Sequence, residues 1–206
     1  TVTAVLGGAT YTVIAQSGVW SIDLASAIAD SGVLSLDLNG TNVITVTASD
    51  TAGNTSSPIS SNLVIDSISP TLNGLGLTAA TDSGTSATDS ITNVSGATLR
   101  VSLDVTATDG SATVIGDTIK TTQDGVSLAN HVIVAGDIIA SYVDINVTLA
   151  SASHTFNAFI TDAAGNNSAA LTSLVTLDAD PPADPQTPSL LTNNSAPTIN
   201  GTAETD

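Results

Sequence analysis

The stretch Val43-Ile44-Thr45-Val46-Thr47-Ala48-Ser49-Asp50-Thr51-Ala52-Gly53-Asn54 decides how the chain is read. Its first half is β-branched and alternates apolar residues with Thr, the pattern of a half-buried strand. Its second half gathers Asp, Gly and Asn, which favour turns through side-chain hydrogen bonds and left-handed backbone. The same period of two recurs in Leu99-Arg100-Val101-Ser102-Leu103, Val143-Asp144-Ile145-Asn146-Val147-Thr148-Leu149 and Phe156-Asn157-Ala158-Phe159-Ile160. Nowhere does a long stretch repeat every 3.6 residues. The nearest helix candidate, Leu24-Ala25-Ser26-Ala27-Ile28-Ala29, runs into Asp30-Ser31-Gly32 after one or two turns. Short strands between turn clusters predict an all-β chain of sandwich modules with Greek-key connections.

An internal repeat sets the module count. Ser49-Asp50-Thr51-Ala52-Gly53-Asn54 returns as Thr161-Asp162-Ala163-Ala164-Gly165-Asn166. Asp162 lies 112 residues after Asp50, as Asp178 does after Asp66 and Pro182 after Pro70. Three units follow: residues 1–70 as the later strands of one domain, 71–182 as a complete domain, and 183–206 as the opening strands of the next. Reading Asp206 into Thr1 gives Gly-Thr-Ala-Glu-Thr-Asp-Thr-Val-Thr-Ala-Val-Leu, an uninterrupted strand–turn–strand. The terminal domain is therefore expected to be split across the chain ends, with homotypic head-to-tail contact between neighbouring repeats or subunits.

Composition narrows the function. Of 206 residues, 19 are acidic and two basic, a net charge of −17. Such a chain repels phosphate backbones and anionic membrane surfaces and attracts cations, so neither nucleic acid nor membrane insertion is expected. Aromatics make up 2%, and there is no Cys. Thin Val, Ile, Leu and Ala cores follow, with neither disulfides nor thiolate metal sites. Trp20 reads as the main core filler of its domain. His131 and His154 read as solvent-facing strand-end residues, and no Gly-x-Ser-x-Gly elbow or Ser–His–acid set is present, so catalysis is not expected.

Four segments together resemble the bacterial Ig-like repeats of giant Gram-negative, type I secreted surface adhesins: Gly201-Thr202-Ala203-Glu204, the Asp162–Asn166 corner, the linker from Leu177 to Pro185, and the loop from Asp82 to Asn93. The resemblance covers nearly the whole chain. It implies tandem Ig-like sandwiches in an exported, rod-like protein at the bacterial cell surface, with calcium at the domain junctions and no catalysis. The first linker departs from the pattern, because Asp66-Ser67-Ile68-Ser69-Pro70 carries one acid where the second carries three.

Ca2+ takes six to eight oxygen ligands from carboxylates, amide and backbone carbonyls and water. Alternate loops of a sandwich fall at opposite poles, so acids distant in sequence converge where domains abut. At the second junction the expected ligands are Asp82 and Asp89 after the first strand, Asp178 and Asp180 of the linker, and Glu204 and Asp206 of the following unit, with Asp50 joining from a neighbouring copy. At the first junction Asp66 meets Asp162, with Asp104 and Asp109 in an adjacent loop. Two carboxylates ~5 Å apart at an effective dielectric of ~20 repel by roughly 3 kcal/mol, which a divalent ion reverses. Mg2+ fits less well, since it demands stricter octahedral geometry. The function expected is a structural spacer of an adhesin or surface filament, a host or surface ligand being engaged at a distal tip. The alternative is a glycan- or protein-binding module acting through loop tips 81–93 and 107–117.

Overall fold

The computed structural model describes residues 1–187, 189 and 191–204. These form strands β1 (Val2–Leu6), β2 (Ala9–Val13), β3 (Thr41–Ala48), β4 (Ile59–Val64), β5 (Leu72–Leu77), β6 (Ile91–Thr92), β7 (Gly96–Leu103), β8 (Thr118–Gln123), β9 (Val126–Ser127) and β10 (His131–Val132). Helix α1 (Ala135–Ala140) precedes β11 (Tyr142–Thr148), β12 (Ala152–Thr161) and β13 (Leu171–Leu177). The fold is all-β apart from that single short helix. No helix among the described residues is long and apolar enough to cross a membrane.

Residues 71–178 form two facing sheets. One has the order β10-β8-β12-β13-β6, with β9 paired to β8; the other is β11-β7-β5. Alternation builds the core between them. Along β7, Ala97, Leu99, Val101 and Leu103 are buried while Thr98, Arg100 and Ser102 are half-exposed. They meet Phe156, Ala158 and Ile160 of β12 and Val175 and Leu177 of β13 in two contiguous apolar clusters. Helix α1 lacks the 3.6 periodicity that would announce it and buries none of its residues. Asp137 sustains its first turn by accepting from the Val134 amide at 2.9 Å, and Ser141 ends it in the left-handed region at φ 64°.

Residues 1–66 form one sheet, β2-β1-β3-β4. The segment between β2 and β3 runs back along the β1–β2 turn, with the Ser35 amide donating to the Gly7 carbonyl and the Thr10 amide to the Ser31 carbonyl, each at 2.8 Å. That contact needs glycine at position 7, where φ is +53° and a Cβ would stand 2.5 Å from the Ser35 carbonyl oxygen. β4 is exposed along its whole length. Trp20 does not fill a core: it is 37% exposed and lines an open apolar groove with Ile44, Val46 and Ile59.

The hairpin carrying the decisive sequence occurs twice in the same register. Val46 pairs with Ile59 and Ile44 with Ser61; Ala158 pairs with Leu171 and Phe156 with Ser173, each position 112 residues on. The corners share their main-chain bonds. The Asp50 amide donates to Asn54 O and Gly53 to Asp50 O, as the Asp162 amide does to Asn166 O and Gly165 to Asp162 O.

Candidate functional site: the acidic poles of the second unit

Two acid-lined regions lie at opposite ends of the 71–178 unit. At the second junction, β6 adds in parallel to the end of β13, with Thr176 opposite Ile91 and Leu177 opposite Thr92. The Asp178 amide then donates to the Thr92 carbonyl at 2.9 Å. This pairing sets the 82–93 loop beside the linker. Asp89, Asn93 and Asp178 line one cavity of about 550 Å³ with Thr85. Thr85, Asn93, Asp178, Asp180 and Glu204 line another of about 750 Å³.

Asp82 anchors this loop. It is 4% exposed, and its Oδ2 accepts from the Ser90 amide at 3.2 Å. Its Oδ1 is buried without a hydrogen-bond partner. Leaving such an oxygen unsatisfied costs of the order of 1–3 kcal/mol or more for a charged group. The other acids hold the backbone locally: Asp89 Oδ1 accepts from Ile91 at 3.1 Å, Asp178 Oδ1 from Asp180 at 3.1 Å, and Glu204 Oε2 from Ala183. Asp206 lies outside the described residues.

At the first junction, Asp66, Asp162 and Asp117 line a cavity of about 180 Å³ together with Ile68, Pro70 and Gly110. The linker is tied down at two points. Asn166 Nδ2 donates to the Asp66 carbonyl at 3.1 Å, and Ile68 packs so closely on Gly110 that a Cβ there would stand 2.8 Å from its Cδ1. Asp117 is 1% exposed and accepts from the Val114 amide at 2.8 Å. Burial pushes its carboxyl above the ordinary value, and the Asp162 and Asp66 charges push the same way. Asp162 shifts downward: partial burial opposes ionisation, but hydrogen bonds from the Asn166 side chain and the Asn166 and Gly165 amides outweigh it.

The remaining sequence candidates stand apart. Asp104 accepts from the Thr106 and Ala107 amides and from the Thr71 hydroxyl. Asp109 accepts from the hydroxyl and amide of Ser111. Asp50 binds the amide and side chain of Asn54. All three carboxyls are held below the ordinary value by those bonds, and none lines the described cavities. Asp117, by contrast, is absent from the sequence reading. Its signal was its place at the end of the long 107–117 loop, directly before β8.

His154 is buried rather than solvent-facing. Its Nδ1 lies 2.6 Å from Asp124 Oδ2, and that bond raises the imidazole's pKa while lowering the carboxyl's. His131 Nε2 lies 2.8 Å from Asp137 Oδ2.

Neither base neutralises the acidic poles. Arg100 is held by Asp144 through two bonds of 2.7 and 2.8 Å, and Lys120 sits over the Phe159 ring. Among the described residues, no three His, Cys, Asp or Glu side chains already stand at metal-binding distance from one another. No protein-family model matches the chain, and no curated protein matches it in sequence.

Proposed function

We propose that the chain is a structural spacer of an extracellular bacterial adhesin or surface filament. In this reading it is built of tandem Ig-like Greek-key sandwiches joined head to tail through junctions that bind Ca2+. The observation that carries the proposal is the buried, unpartnered Asp82 Oδ1 in the loop that also presents Asp89 beside Asp178. A buried carboxyl oxygen without a donor is stabilised when a cation approaches it. Asp82 itself lines neither acidic cavity; the donors that do are hard oxygens: the carboxylates of Asp89, Asp178, Asp180 and Glu204, the Asn93 amide and the Thr85 hydroxyl. They suit Ca2+ and offer no nitrogen or sulfur to a softer metal.

At the second junction Asp82, Asp89, Asp178, Asp180 and Glu204 would hold the ion; at the first, Asp66, Asp162 and Asp117. The ion supplies positive charge that offsets carboxylate repulsion. Drawing the 82–93 loop and the linker onto it is part of the proposal. The repeated hairpin and the proline-bearing linkers support a stiff series of like units.

Thermal unfolding with Ca2+, Mg2+ and chelator tests this. With the sub-millimolar affinity of extracellular modules, 10 mM Ca2+ stabilises by about 1.4–2.7 kcal/mol per site, which raises Tm by several degrees. Mg2+ gives a smaller rise. Equal midpoints in calcium and in chelator would remove calcium from the account.

A further inference from the structure

The open β3–β4 half of the first sheet's apolar face has a counterpart inside the same chain. Ile44, Val46 and Ala48 of β3 and Ile59 and Ser61 of β4 line a groove of about 560 Å³ beneath Trp20. Of their partners 112 residues later, Phe156, Ala158, Ile160, Leu171 and Ser173, the first three are completely buried and share the core clusters with Leu99, Val101 and Leu103 of β7. What differs is the cover. In the second unit β5, β7 and β11 lie across this face; in the first unit the β1–β2 half of the same face is covered, with Val2, Ala4, Leu6, Ala9 and Tyr11 buried, whereas the β3–β4 half is bordered among the described residues by Trp20 and stays open.

The chain also carries a second version of that cover. Leu191-Thr192-Asn193-Asn194-Ser195-Ala196-Pro197-Thr198-Ile199 repeats Ile91-Thr92-Asn93-Val94-Ser95-Gly96-Ala97-Thr98-Leu99 at a constant offset of 100. Thr, Asn, Ser and Thr are identical, and Ile and Leu exchange at both ends. The first version forms β6 and the start of β7, with Leu99 completely buried. The second leaves Leu191 fully exposed and Ile199 71% exposed. One chain thus presents an apolar sheet face whose β3–β4 half is open and, at its other end, an exposed copy of the segment that covers such a face.

We propose that residues 191–203 of a second copy of this chain complete the first sheet. Leu191 and Thr192 add in parallel to the end of β4 at Val64 and Ile65, as β6 adds to β13. Residues 196–203 cross the face as β7 does, which seats Ile199 over Ile44 and buries Trp20. Edge addition supplies main-chain hydrogen bonds, and the apolar side chains set the register. The contact is heterologous, so it propagates into chains rather than closing as a dimer. This inference rests on the head-to-tail association proposed above and names its two surfaces.

Trp20 is the single tryptophan of the chain, so its fluorescence reports on the groove directly. The experiment uses the 206-residue chain in chelator, so that calcium bridging between copies does not contribute to the association. Sedimentation across a concentration series is expected to show open-ended association, with Trp20 emission shifting to the blue in step. Ile199→Asp, at an exposed position outside every strand, is expected to weaken association about tenfold to a hundredfold. A peptide of residues 183–206 added to the I199D chain restores the blue shift without restoring polymers. A wild-type chain that stays monomeric with unchanged emission overturns the proposal. So does association indifferent to I199D, or a peptide that leaves Trp20 unmoved. Failure of these outcomes beside a retained calcium effect on Tm would leave the spacer reading standing and remove only this interface.

Discussion

Acids in this chain do two different jobs that look alike in sequence. Asp50, Asp104 and Asp109 accept from amides two to four residues away, the ordinary Asx-turn use of a carboxylate, and Asp104 also from the Thr71 hydroxyl. Asp82 and Asp117 are withdrawn from water. Asp82→Asn removes the charge but keeps an acceptor for the Ser90 amide. It is expected to leave the chelated protein as stable as wild type or more so, and to shrink the calcium-dependent rise in Tm; calorimetry with and without Ca2+ reads both. The pair of buried His154 with exposed Asp124 gives a pH signature. The raised His154 contributes fully below the ordinary imidazole value of 6.5 and loses that contribution as pH rises through its folded pKa. The lowered Asp124 contributes above the ordinary 3.8 and fails only as pH falls through its depressed value. Both are therefore present between those values. Denaturant titrations are expected to find His154→Gln more destabilising at about pH 5.5 than at about pH 8. Sequence singled out Asp82 but not Asp117, because burial is a property of the packed sheets and no local pattern of Asp, Gly and Thr encodes it.

At the scale of the element, one hairpin placed in two settings separates what a strand owes to its own residues from what it owes to its cover. β3–β4 and β12–β13 share register and corner, yet Phe156 is completely buried while Ile44 borders an open groove. Phe156→Ala is expected to cost about 3–5 kcal/mol. Ile44→Ala is expected to cost about 1 kcal/mol or less in the chelated, dilute chain, since little apolar area there leaves water on folding. Equal losses in urea melts would mean the β3–β4 half of the first sheet is covered after all. Strands with clean alternation, such as those ending in Leu103 and Thr161, were legible in advance because each presents one apolar face. Helix α1 was not, since six residues with Asp137 as cap carry no period. Nor was the exposure of Trp20, which depends on a cover that its own neighbourhood does not supply.

For the whole molecule, the separation of opposite charge from acidic clusters is the governing fact. Both basic residues are committed within the 71–178 unit, Arg100 to Asp144 and Lys120 to the Phe159 ring. The junction acids have no cationic side chain to offset them. The 112-residue repeat was visible in the sequence because Asp-x-Ala-Gly-Asn corners are rare enough to align by eye. The acidic poles were visible in part, since the linkers and the 82–93 loop were named. Their separation into loosely set carboxylates rather than a formed cage was not visible, because distances between loops are fixed only by the sheets that carry them. The most direct test is small-angle X-ray scattering of the full chain at low concentration, first with Ca2+ and then with chelator. The account predicts a longer maximum dimension and a stiffer profile with the ion, reversed on chelation. Superimposable profiles in the two conditions would contradict it.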